Sequence, residues 1–126
     1  VKTLICGGRD FHDYDALCRA MSQLPFTPTI VIQGGARGAD SLAQRWAIEH
    51  GVHSAEVPAL WRVFGKSAGH QRNAAMLLLN PDYCVALPGG VGTADMIRKC
   101  EAKGIPTWVL TSPTVSDTIR QHEQGA

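Results

Sequence analysis

The sequence predicts an α/β domain, a three-layer sandwich built on a mainly parallel five-stranded sheet with helices on both faces. Three observations lead there. Short β-branched or apolar runs alternate with stretches of helical periodicity along most of the chain. Three of those runs are followed at once by glycine-rich turns: Gly7-Gly8-Arg9-Asp10, Gly34-Gly35-Ala36-Arg37-Gly38-Ala39-Asp40 and Pro88-Gly89-Gly90-Val91-Gly92-Thr93. A length of 126 residues, 44% hydrophobic and 18% charged, is enough to bury one core without disulfides or metal.

Taken in order, Thr3–Cys6 is the first strand, and Tyr14–Gln23 is a helix with Tyr14, Leu17, Cys18 and Met21 at helical spacing. Pro25 and Pro28 end it. Thr29–Gln33 is the clearest strand, with a glycine pair directly behind it. Asp40 is placed to cap a second helix whose inner face carries Ala43, Trp46 and Ala47 and which Gly51 stops. His53–Val57 is a weaker strand, Pro58 to Lys66 a loop, and about Ser67–Leu79 a third helix. Tyr83–Leu87 is the fourth strand, Thr93–Lys103 the fourth helix closed by Gly104, and Thr107–Leu110 the last strand. The domain therefore runs over 1–112, with 113–126 as a polar tail. Right-handed βαβ crossovers give the strand order 3-2-1-4-5, which sets the three glycine turns side by side at the carboxyl edge of the sheet.

Composition narrows the function classes. The net charge is +1, so no global basic field favours nucleic acid, and anion recognition must come from local arginines and amides. No run approaches the ~18–20 apolar residues of a membrane span, and a signal-peptide pattern is missing. Cys6, Cys18, Cys84 and Cys100 are scattered, as suits reduced thiols. A cytoplasmic protein without membrane attachment is the expectation. The five histidines show no ligand spacing, so neither metal nor cofactor is expected. Familiar motifs fail: Asp95 stands where the third glycine of G-x-G-x-x-G belongs, and Leu60 where a P-loop needs its first.

The turns carry the candidate site. Gly89, Gly90, Gly92 and Thr93 offer free N–H groups, a hydroxyl and the positive end of a helix at one spot, behind Pro88. In the second turn, Gly34, Gly35 and Gly38 allow close approach, and Arg37 supplies a planar donor fork suited to phosphate or lies free on the surface. Asp40 caps the helix and can serve a ligand as well. In the first turn, Gly8 precedes Arg9 and Asp10, which either form a local salt bridge or divide between phosphate and ribose. Asp95, expected in a first helical turn worth ~0.3–1 kcal/mol to an acid, would repel phosphate and so suits a sugar hydroxyl or base edge. Trp61, Arg62, Lys66, His70, Arg72 and Asn73 gather near the third helix start. Lys66 and His70 are expected on a solvated face; Trp61 could stack on a base, but packing beneath the loop is the expectation.

Together the blocks Gly7–Phe11, Gly34–Asp40, Ala68–Met76 and Pro88–Met96 resemble, in the same order, the YspA-like branch of the SLOG superfamily, which also holds DprA and the LOG phosphoribohydrolases. The resemblance covers about residues 3–110. It implies a Rossmann-like fold, a pocket for a nucleotide or a nucleotide-derived ligand such as an ADP-ribose compound, and a dimer. The LOG enzymes carry Arg-Lys-x-x-Met and Pro-Gly-Gly-x-Gly-Thr-x-x-Glu. Here Arg72 matches, Asn73 replaces the lysine, and Met96 replaces the glutamate. Asp95 is the neighbouring carboxylate, about 100° away around a helix. The leading expectation is a nucleotide-binding protein. The alternative is an N-glycosidic hydrolase of nucleoside monophosphates with Asp95 as catalytic residue, and single-stranded DNA binding comes third. The apolar run Ala74–Leu79 exceeds what one sheet face needs and predicts a homodimer through the third helix.

Overall fold

The computed structural model describes residues 1–111. The tail expected at 113–126 lies outside the described residues. Strands β1 (Lys2–Cys6), β2 (Ile30–Gln33), β3 (His53–Glu56), β4 (Tyr83–Ala86) and β5 (Thr107–Val109) form one sheet in the order β3-β2-β1-β4-β5. Every pairing is parallel, as in Leu4 opposite Ile32 on one side and Cys84 on the other. This is the predicted Rossmann-like α/β fold.

The two-residue period of the strands sorts the core into two halves. Ile5, Val31, Val85 and Leu87 face α1 (Tyr14–Ser22) and α2 (Ala39–Glu49), meeting Leu17, Met21, Ala43, Trp46 and Ala47. Leu4, Ile32, Cys84 and Ala86 face α4 (Ala68–Leu77) and α5 (Val91–Ala102), meeting Met76, Leu77, Met96 and Cys100. Each large aliphatic side chain so buried is worth roughly 1.5–3 kcal/mol. Among the described residues, no helix is long and apolar enough to cross a membrane.

Three helix boundaries differ from the sequence reading. The expected loop contains α3 (Trp61–Phe64) and a single 3₁₀ turn at Gly65–Ser67, so α4 begins at Ala68. Gly38, with φ +78°, precedes α2, and Asp40 lies inside the helix instead of capping it. Its carboxylate accepts instead from the Ala36 amide at 3.1 Å. Gly90 precedes α5, which takes in Val91 and Gly92, so Thr93 is not its cap and Asp95 falls in the second turn. Glycine has low helix propensity, which argues for a later start. The helix nevertheless starts ahead of Gly92, behind Gly90 and with no side-chain cap.

The three glycine turns are joined at Gly8. Its N–H donates to the Pro88 carbonyl at 2.9 Å, and its carbonyl accepts from the Ala39 N–H at 3.0 Å. Gly38 lies against the Arg9 and Gly8 carbonyls, so a Cβ there would meet backbone that cannot move aside. Gly51 also has positive φ, +66°, yet a Cβ there would enter open space. We therefore expect Gly51→Ala to cost about 1–2 kcal/mol through backbone strain alone. Gly38→Ala should cost clearly more, as measured by urea unfolding. Equal costs would show that the turns are not tightly interlocked.

Candidate functional site

A cavity of about 370 Å³ opens at the carboxyl edge of the sheet, between the glycine turns and the start of α4. Of the residues expected in a site, Gly8, Arg9, Gly34, Asp40, Arg72, Asn73, Gly90, Gly92 and Thr93 line it. A shallower recess beside it shares Gly8, Arg9 and Gly90 and adds Asp10, Pro88 and Gly89. Gly35, Arg37 and Gly38 line neither. Gly35 stands against Glu56 and Gly38 beneath Arg9. Arg37 reaches out to Asp10 at 3.6 Å, and both side chains are exposed. The salt bridge of the first turn thus joins Asp10 to Arg37 rather than to Arg9.

The helix starts at this edge differ in what their amides face. The first N–H of α2 is taken by Gly8. In α5, Ala94 is the first residue whose N–H bonds back, to Gly90 at 3.0 Å. The amides of Val91, Gly92 and Thr93 therefore precede the helical ladder, with no acid in the first turn. Gly92 and Thr93 line the cavity. The positive end of the α5 dipole faces a concave wall that also holds Arg9, Lys66 and Arg72.

The wall is stiffened by one polar network. Arg72 donates to the Gly34 carbonyl at 2.8 Å and to Asn73 Oδ1 at 3.0 Å. Asn73 donates to the Gly92 carbonyl at 3.1 Å and to Asp95 Oδ2 at 3.0 Å. Asp95 also accepts from Lys99 at 2.6 and 2.7 Å, and its Oδ1 lies 3.0 Å from His70 Nδ1. Burial alone would raise the Asp95 pKa, but the hydrogen bonds from Lys99, Asn73 and His70 outweigh it and bring the value down to about 2. For Asp40 the balance goes the other way. Burial raises its pKa against the opposing effects of the Ala36 amide and the Arg72 charge.

Asp95 itself does not line the cavity; His70, which touches it, does. Met96 is buried in the apolar layer between α5 and the sheet. Lys66 and His70, expected on a solvated face, both border the cavity. Trp61, expected to be packed under the loop, is 49% exposed and forms part of the wall. Cys6, Gly7, Ala36, Gly69 and Met76 complete it. The Lys66–His70 and His70–Asn73 spacings were the available signal, but they do not reveal which way that face turns. Among the described residues, no three His, Cys, Asp or Glu side chains gather as metal ligands.

A parallel sheet in this order, with glycine turns converging on a hollow bordered by three cationic side chains, defines a Rossmann-like α/β domain. The chain belongs to the YspA, cpYpsA-related SLOG family, whose family model matches residues 1–64. It is 36% identical over 120 residues to the gene 61 protein of Mycobacterium phage D29, covering 83% of this chain and 92% of that protein. No solved structure matches the chain.

The Asp95 network has a pH signature. An acid whose pKa falls from 3.8 to about 2 on folding stabilises the folded state above the higher value and loses that contribution as pH falls toward the lower. Asp95→Asn should therefore cost about 2 kcal/mol at neutral pH. It should cost little near pH 2, and it should flatten the acid limb of stability measured by urea unfolding. A constant cost across that range would mean the carboxylate is not held by these donors.

Proposed function

We propose that the protein binds a nucleotide or nucleotide-derived ligand at the carboxyl edge of the sheet. The phosphate would sit at the start of α5. One observation carries the reading: the open amides of Gly92 and Thr93 face a concave wall that holds three cationic side chains, Arg9, Lys66 and Arg72, and one carboxylate, Asp40. Membership of the family supports the same ligand class. The cavity volume falls within the ~300–1,000 Å³ usual for small-molecule sites.

Binding is favoured over hydrolysis. The carboxylate proposed for catalysis, Asp95, is withdrawn behind His70 and neutralised by Lys99. The position of the LOG glutamate is filled by Met96, which is buried. AMP incubated with the protein should therefore remain intact by chromatography. A near-neutral chain also offers little to a DNA strand, since strand binding draws on a basic groove with stacking platforms. For assembly, we propose a homodimer formed through the end of α4, where Leu78 and Leu79 are 74% and 41% exposed. Light scattering at micromolar concentration would read a dimer, and Leu78→Glu should yield a monomer.

Gly92→Asp separates binding from folding. A Cβ at Gly92 meets nothing within 4 Å, so the change fits sterically. An acid in the first turn of α5 should leave stability unchanged or raise it by about 0.3–1 kcal/mol. It should also abolish calorimetric binding of AMP and ADP-ribose by placing negative charge where the phosphate would sit. Unaltered binding in this variant, or no heat from either nucleotide with the wild-type protein, would overturn the proposal.

A further inference from the structure

We infer that Trp61 is the platform on which the base of the ligand stacks, so that the site selects phosphate esters carrying an aromatic base over base-free sugar phosphates. The inference rests on the nucleotide-binding reading. It adds which end of the ligand is recognised, and by which side chain.

Trp61 is unlike a core tryptophan. Trp46 is 6% exposed inside the α1–α2 layer, whereas Trp61 is 49% exposed and borders the cavity. It stands at the head of α3, a helix of four residues, ahead of Gly65 with φ +58°. The far edge of its ring lies over Gly69 of α4, where even an added Cβ would stand 3.8 Å away. The ring thus rests beside backbone instead of being wedged among bulky side chains. The guanidinium carbon of Arg9, a second wall residue, lies 5.2 Å from the ring centroid, a cation–π distance.

A ring face that takes a planar guanidinium can take a planar base in its place. Base–aromatic stacking tolerates any base, because each presents a π-face. Two stacking contacts need about 7 Å, more than the present 5.2 Å separation. A base therefore takes the guanidinium's place on the ring and frees its donors to turn toward phosphate, whose anchor is the open start of α5. The base end and the phosphate end of the cavity are then set by different elements, α3 and α5.

The test titrates the full chain with AMP and with ribose 5-phosphate, following both calorimetry and tryptophan fluorescence. AMP should quench fluorescence, and ribose 5-phosphate should bind without quenching. Trp61→Ala should weaken AMP about tenfold or more while leaving ribose 5-phosphate unchanged. Trp61→Phe should restore most of the AMP affinity yet lose the quench. Equal weakening of both ligands by Trp61→Ala would mark a packing role and overturn the inference. So would AMP affinity indifferent to that change, or failure of Trp61→Phe to restore it. If wild-type protein binds ribose 5-phosphate and AMP equally well, base recognition fails while phosphate binding stands. If it binds neither, the nucleotide-binding reading itself falls and the stacking role falls with it.

Discussion

The cavity depends on one residue of the central strand's turn, Gly8, which hydrogen-bonds in both directions at once. Its N–H reaches the Pro88 carbonyl and its carbonyl takes the Ala39 N–H. Because β1 lies between β2 and β4, its turn alone can touch both neighbouring turns. The contact has a directional consequence. It satisfies the first amide of α2 and leaves the start of α5 unoccupied by protein. Two helix starts that look alike in sequence are therefore chemically different in the fold. A Cβ at Gly8 would press on Gly89 and the Pro88 carbonyl, so this position needs a glycine for backbone-to-backbone approach.

A second constraint fixes the opposite wall. Asn73 accepts from Arg72 and donates to both Gly92 and Asp95. A lysine at that position, as in the LOG pattern, could donate but not accept, and Arg72 would lose a partner. The same substitution would add a further cation beside Asp95, which Lys99 and Arg98 already face. The departure from the LOG block at 73 thus fits the departure at 96. The acid of this chain stands at Asp95 as the hub of a structural network, and an amide completes that network better than an ammonium.

The architecture was legible because strand–helix alternation and crossover handedness leave little freedom in strand order. The predicted order matches the sheet, and the residues of the inner helix faces (Leu17, Ala43, Trp46) are buried as their spacing required. Helix starts were less legible. Sequence rules look for a polar cap, whereas α2 begins after Gly38, which lies against the first turn, and α5 after Gly90, neither with a side-chain cap. The glycines themselves marked close approach correctly but not its partner. Gly7, Gly8, Gly38 and Gly89 lie against other turns or their flanking residues, and it is Gly90 and Gly92 that look onto open space. Trp61, Lys66 and His70 could not be oriented from sequence. The short α3 and the 3₁₀ turn reset the register ahead of α4, and no periodicity carries across such a break.

Charge placement, rather than charge total, gives this hollow its sign. The chain as a whole carries +1, yet Arg9, Lys66 and Arg72 border the cavity against the lone carboxylate Asp40. Asp40 is itself tied to the Ala36 amide, and burial disfavours its ionised form. Meanwhile Asp95, which would repel an anion, is turned away and neutralised within the α4–α5 seam. Asp95 is thus neutralised and the ionisation of Asp40 disfavoured, while the cations and the α5 amides are left facing the hollow. Low dielectric walls magnify that imbalance. A neutral sugar or a free base would meet no comparable attraction, so under the proposed reading the field would act on the phosphate first and leave discrimination among phosphates to the shape of the wall.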